Sequence, residues 1–166
     1  TKEMKTKEMK TKPLTFLLSL TFLFLFSGSS VVFGDGLQDA KDAYKRQDYE
    51  TAYKLFLPLA EQGITTAQSM LGWFYATGKG IPHDYKAAYK WYRLAAEKGD
   101  ALGQYNVGLM YHEGKGVPQD YKEAVRLYRL SAEQGVAQAQ NNLGLMYDNG
   151  QGVPQDYKEA VKWYRL

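Results

Sequence analysis

A chain of 166 residues that is 45% hydrophobic and 23% charged has the make-up of one globular domain. It contains no cysteine and two histidines (His83 and His112), which excludes disulfides, thiolate chemistry and cysteine-based metal sites and leaves little material for a histidine cluster. The net charge of +3 lies entirely in residues 1–34, because residues 35–166 carry 16 basic and 16 acidic side chains; a balanced domain has no overall field to draw it onto nucleic acid.

The chain begins with lysines spread from Lys2 to Lys12, followed by an unbroken run from Leu14 to Phe26 made of Leu, Phe, Thr and Ser. Thirteen residues suit the core of a signal peptide and fall short of the roughly 20 a helix needs to span a bilayer. Residues 1–34 are therefore expected to be a signal peptide cleaved before Asp35, giving an exported, periplasmic or secreted protein. The alternative is an uncleaved anchor over residues 14–33, the one route by which this chain would meet a membrane.

After this segment the sequence repeats every 36 residues. Leu71-Gly72 returns as Val107-Gly108 and Leu143-Gly144, and Tyr75 as Tyr111 and Tyr147. Gly78-Lys79-Gly80-Ile81-Pro82-His83-Asp84-Tyr85 returns from Gly114 to Tyr121 and from Gly150 to Tyr157. Residues 35–65 follow the same period loosely as a degenerate hairpin, through Tyr49, Ala52, Leu55-Phe56 and Ala60-Glu61-Gln62-Gly63. Residues 66–166 hold the close copies, the last one incomplete.

Each unit reads as two helices. Ala67, Met70, Leu71, Phe74 and Tyr75 make one apolar stripe, and Ala88, Trp91, Tyr92, Ala95 and Ala96 make a second. Asp84, Asp120 and Asp156 are placed to cap the second helices, with Glu123 and Glu159 three residues on as an acidic capping box. Gly63, Gly99 and Gly135 fall where a helix ends on a left-handed residue. Gly72, Gly108 and Gly144 lie inside first helices at about 1 kcal/mol each relative to Ala, a recurring cost that implies close approach of the paired helix, here expected against its alanines. One hairpin cannot bury both stripes, so hairpins stack into a solenoid with a concave face.

The pattern Leu-Gly-x-Met/Phe-Tyr, then Gly-x-Gly-Val-Pro-x-Asp-Tyr, then Ala-x-x-Trp-Tyr-x-Leu-Ala-Ala-Glu-x-Gly resembles the Sel1-like repeat family, relatives of tetratricopeptide repeats with a longer inter-helix loop. The resemblance implies an all-α, right-handed α/α solenoid of antiparallel helix pairs that serves as an adaptor for protein complexes. Secreted bacterial members are common in that family and some are rich in cysteine; this chain has none, so the β-lactam-related activities of that subgroup do not carry over.

The tempting chemical sites have plainer readings. The Gly-x-Gly loops lack a P-loop's spacing, since Trp73 stands at the required first glycine and Gly80 at the Ser/Thr. His83 occupies a loop position where the other copies have Gln119 and Gln155, and reads as an exposed variable residue. Lys86, Lys90 and Arg93, echoed by Lys122, Arg126, Arg129 and Lys158, Lys162, Arg165, read as a solvated outer face. No Ser-x-x-Lys, nucleophile elbow or paired-histidine motif occurs, so neither catalytic residue, cofactor nor metal is expected.

The expected function is to hold a protein or peptide in the concave groove. Candidate groove residues are Ser69, Trp73, Tyr105, Leu109, His112, Asn141, Leu145 and Asp148, built around the variable column Trp73, Leu109, Leu145. The competing reading packs that column between adjacent first helices. For the chain as a whole, a weak envelope hydrolase and a surface-exposed host-contact protein are the competing functions. The sequence stops at Leu166 inside a second helix, so Trp163, Tyr164 and Leu166 are expected to be more exposed than Trp91, Tyr92 and Leu94, and the natural chain to continue.

Overall fold

The computed structural model describes residues 29–165, so the expected signal core lies outside the described residues. Eight helices follow in order: α1 (Ser29–Lys45), α2 (Tyr49–Glu61), α3 (Thr65–Thr77), α4 (Tyr85–Glu97), α5 (Ala101–Glu113), α6 (Tyr121–Glu133), α7 (Ala137–Asn149) and α8 (Tyr157–Tyr164). No strand occurs among the described residues, and none of these helices is long and apolar enough to cross a membrane. The expected cleavage point before Asp35 falls within α1.

Helices α2 to α7 are each 13 residues, about 20 Å long, too short to be stable alone in water. Stability has to come from packing, and each helix packs on the next along the chain, as a solenoid of hairpins requires. The core is a chain of overlapping clusters. Ala52, Phe56, Leu71 and Phe74 centre the first, Tyr92, Val107, Met110 and Leu127 the second, and Tyr128, Leu143 and Met146 the third.

The joints explain the recurring spacing within the chain. First helices end on Gly78, Gly114 and Gly150 in the left-handed region, where the N–H returns to the carbonyl of Phe74, Met110 or Met146. Two residues on, Gly116 has φ +75°, and a Cβ there would collide with the Tyr85 carbonyl at the start of the preceding second helix. The Gly-x-Gly loop therefore seals one hairpin against the previous one, and only glycine fits. The expected caps form: Asp84, Asp120 and Asp156 each accept two backbone N–H groups of the following turn at 2.8–3.1 Å.

Two expectations are corrected. The capping box does not form, because the Asp120 and Asp156 N–H groups donate to the Tyr111 and Tyr147 carbonyls at 2.9 Å, leaving Glu123 and Glu159 to pair with Arg126 and Lys162 on their own helices. The helix glycines face tyrosine rings, not alanines: a Cβ on Gly72 would sit 2.5 Å from Tyr92 Cδ1, and one on Gly108 2.9 Å from Tyr128 Cδ1. In the last hairpin, Tyr164 is 42% exposed against 4% for Tyr92, as expected, whereas Trp163 stays half-buried like Trp91.

Candidate partner-binding groove

The two faces of the solenoid differ in charge because the two kinds of helix differ in sequence. Helix α3 has no charged residue, α5 has only His112 and Glu113, and α7 has only Asp148. The lysines and arginines of α4, α6 and α8 are all exposed, and Arg93, Arg126 and Lys162 pair with Glu97, Glu123 and Glu159 one turn away. Such exposed pairs contribute little to stability, which fits the solvated outer face expected from the sequence.

On the first helices, four of the candidate side chains make contacts within the protein. The Ser69 hydroxyl donates to Asp100 Oδ1 at 2.9 Å, and that carboxylate caps α5 by accepting from the Gly103 N–H. The Trp73 indole is half-buried edge-on to Tyr44 at 5.1 Å, with the Lys79 ammonium 5.3 Å from its ring centre. Tyr105 tilts against Tyr128 with 5.9 Å between ring centres, and burial holds its hydroxyl above the usual phenol range. His112 turns Nδ1 to the Tyr128 hydroxyl at 3.2 Å.

The other four are presented outward to different degrees. Leu109 is half-buried and walls a cleft of about 170 Å³ between α3, α4 and α5, with Ala76, Tyr92 and Asn106. Asn141 is exposed, Leu145 is 42% exposed, and Asp148 is half-buried near the end of α7. The sequence reading missed Leu102, which is 55% exposed, lies one stripe with Asn106 and Leu109 on α5, and is the sole apolar member of the column Thr66, Leu102, Gln138. That apolar break in a polar column was the signal available.

No cluster of three or more potential metal ligands occurs among the described residues. His83 is exposed and meets Tyr85 edge-on at 4.1 Å. Its counterparts Gln119 and Gln155 are more than variable surface, since their amides donate to the His112 and Asp148 carbonyls at 2.8 and 2.7 Å and close the ends of α5 and α7.

The hairpin boundaries coincide with Sel1 repeats, which match at residues 34–64, 65–100, 101–136 and 137–166. The chain belongs to the Sel1 repeat family. Sel1 repeat solenoids are generally protein–protein interaction scaffolds and typically not enzymes. Among solved structures, the chain is similar to a Sel1 repeat protein from Oxalobacter formigenes (36% identity, TM-score 0.73), over 78% of this chain and 53% of that one. It is also similar to c5321, a protective antigen of uropathogenic Escherichia coli with an SLR fold, at 40% identity and TM-score 0.75, over 80% of this chain and 29% of that one. Helicobacter pylori cysteine rich protein B shares the fold at 22% identity and TM-score 0.50, over 61% of this chain and 92% of that one. This Sel1 chain thus spans about half of the first relative and under a third of the second. Among curated proteins, none matches it.

Proposed function

We propose that this Sel1 repeat chain is an exported adaptor that holds a protein or peptide partner along its first helices. The observation that carries the reading is the pair Leu102 and Leu145, large apolar side chains left 55% and 42% exposed on helices that carry no lysine or arginine. Leu109, Asn141 and Asp148 belong to the same surface, and Ser69, Trp73, Tyr105 and His112 hold its shape. Apolar anchors with amide and carboxylate neighbours are how grooves of this kind take a segment of another protein.

Leu102→Ser with Leu145→Ser tests it. Both sites are exposed, so unfolding free energy should change by no more than about 0.5 kcal/mol per site, while capture of a partner from the envelope fraction should weaken about tenfold or more. Undiminished capture by the double variant would refute the groove. Export rests on the lysines before the Leu14–Phe26 run. Mass spectrometry of the exported protein should find an N-terminus at or near Asp35, and retention of residues 14–33 would make it an anchor. The host-contact reading draws on the E. coli neighbour described as a protective antigen; labelling of intact cells with an impermeant reagent separates it from a periplasmic location.

A further inference from the structure

The second helices carry a column that reads Trp91, Leu127, Trp163. Trp91 packs on the cluster that holds Ala60, on the second helix of the preceding hairpin, and Leu71, on the first helix of its own. Trp163 packs in the same way on the cluster that holds Ala132 and Leu143. In each case an indole lies across the seam between hairpins. At the middle seam both partners shrink together: Leu127 replaces the indole, and Val107 stands where Leu71 and Leu143 stand. Here the surface opens into a cleft of about 280 Å³ between α4, α5 and α6, with Ala96, Val107 and Leu127 among its lining residues.

The walls of the cleft select what can fill it. Arg93 on α4 pairs with Glu97 at 3.3 Å, and Arg126 on α6 is held by both Glu123 oxygens at 2.6 and 2.9 Å. Two guanidiniums against two carboxylates leave no net charge, so the cleft complements a neutral group and offers nothing extra to a phosphate. Guanidinium planes fixed in this way stack on aromatic faces. The Tyr89 and Tyr111 hydroxyls also line it, bonded to each other at 3.0 Å, and this pair has lone pairs left to accept an indole N–H. Sites for whole small molecules run about 300–1,000 Å³, so this volume suits a single side chain.

We infer that the cleft over Leu127 is a seat for one tryptophan side chain of a partner protein, which completes the seam that Trp91 and Trp163 complete from within the chain. The seat lies between second helices, apart from Leu102 and Leu145, and does not depend on the groove along the first helices.

The probe is N-acetyltryptophanamide, titrated into the methyl-labelled full chain and followed by NMR. Saturable shifts should centre on the methyls of Leu127, Val107 and Leu130, with N-acetylleucinamide binding about tenfold more weakly. Leu127→Trp should abolish the shifts and hold or raise the melting temperature, because the neighbouring seams already accept an indole. Arg93→Ala with Arg126→Ala, both on exposed side chains, should leave the circular dichroism unchanged and weaken the probe about tenfold, which keeps the idea testable should Leu127→Trp fold poorly. No saturable shift in the wild type, shifts that survive in Leu127→Trp, or equal binding of the leucine amide would overturn the seat. Shifts centred on Leu102 and Leu145 would also overturn it, while leaving the adaptor reading intact.

Discussion

Placing alanine at each helix glycine in turn isolates what those glycines do. Helix propensity alone predicts that Gly72→Ala, Gly108→Ala and Gly144→Ala each stabilise by about 1 kcal/mol. The rings opposite say otherwise, to three different degrees. A Cβ on Gly72 would lie 2.5–2.7 Å from three atoms of the Tyr92 ring, where non-bonded carbons prefer about 3.5–4.0 Å. Tyr92 is buried and cannot swing away, so overpacking of about 2–3 kcal/mol should outweigh the helix gain and leave a net loss of about 1–2 kcal/mol. At Gly108 the nearest atoms of Tyr128 are at 2.9 and 3.1 Å, a milder clash against an equally buried ring, and the two effects should nearly cancel. At Gly144 the clash with Tyr164 is again 2.5 Å, yet that ring is 42% exposed and free to rotate out, so Gly144→Ala should be neutral or stabilising. Urea denaturation of the three variants measures the order. Equal stabilisation at all three sites would refute the close-approach account, and a loss at Gly144 as large as at Gly72 would refute the role given to burial of the ring.

Gly116→Ala should cost about 2 kcal/mol or more, combining left-handed strain with a collision at the Tyr85 carbonyl, whereas Gly135→Ala, at φ +87° with nothing within 4 Å, should cost only the strain, about 1 kcal/mol; equal losses in urea melts would remove the loop's role as a seal between hairpins. The inter-hairpin tyrosine pairs predict a pH dependence. Burial and the bond to Tyr75 push Tyr53 up to about 12, and the bond to Tyr89 followed by burial pushes Tyr111 up to about 12. Unfolded tyrosines ionise near about pH 10, so between that value and about 12 the unfolded chain has lost protons the folded chain keeps, and stability must fall as pH rises through this window. Urea midpoints at about pH 9 and about pH 11 should show the drop, and Tyr111→Phe should lessen it, the rest coming from Tyr53 and from Tyr92 and Tyr128, whose hydroxyls burial also pushes up; an unchanged slope would mean the pair does not hold its protons.

The architecture was legible because each local rule appears several times in step. Two stripes at helical spacing, an aspartate two residues after proline and a glycine after each second helix are local signals, and the structure realises all of them. Contacts between helices were not legible. That Gly72 meets Tyr92 depends on how far the α4 ring reaches over α3, which no stripe reveals. Glu123 looked like a capping partner because the spacing was right, but the Asp120 N–H already belonged to a carbonyl of the preceding helix. The candidate groove suffered from the same limit. A position between the buried and open sides of a helix is decided by the neighbouring hairpin, so Trp73, meeting Tyr44, packs inward while Leu145 in the same column stays open.

What distinguishes this chain from a bare stack of Sel1 units is therefore in the columns that change from copy to copy. Consensus positions cap helices, turn loops and fill the core, and each copy needs them alike. Where a seam residue changes, the contact it made is either taken over by another side chain or given up. Tyr53 and Tyr89 bond the hydroxyls of Tyr75 and Tyr111, and where Val125 breaks the series Arg129 donates to Tyr147 in its place. Lys79 and Lys115 stand near the rings of Tyr49 and Tyr85, and Gln151 gives up the cation at the third loop. Two further changes alter what a partner would meet. Leu127 with Val107 opens a seam that its neighbours fill, and Leu102 puts an apolar side chain into water where Thr66 and Gln138 are polar. Leu102 leaves apolar surface that a partner can remove from water, at about 25 cal/mol per Å² covered, and the cleft beside the buried Leu127 and Val107 leaves room for a partner's side chain. An adaptor built from near-identical units can distinguish its partners only through such places, because every surface the copies share is offered several times over.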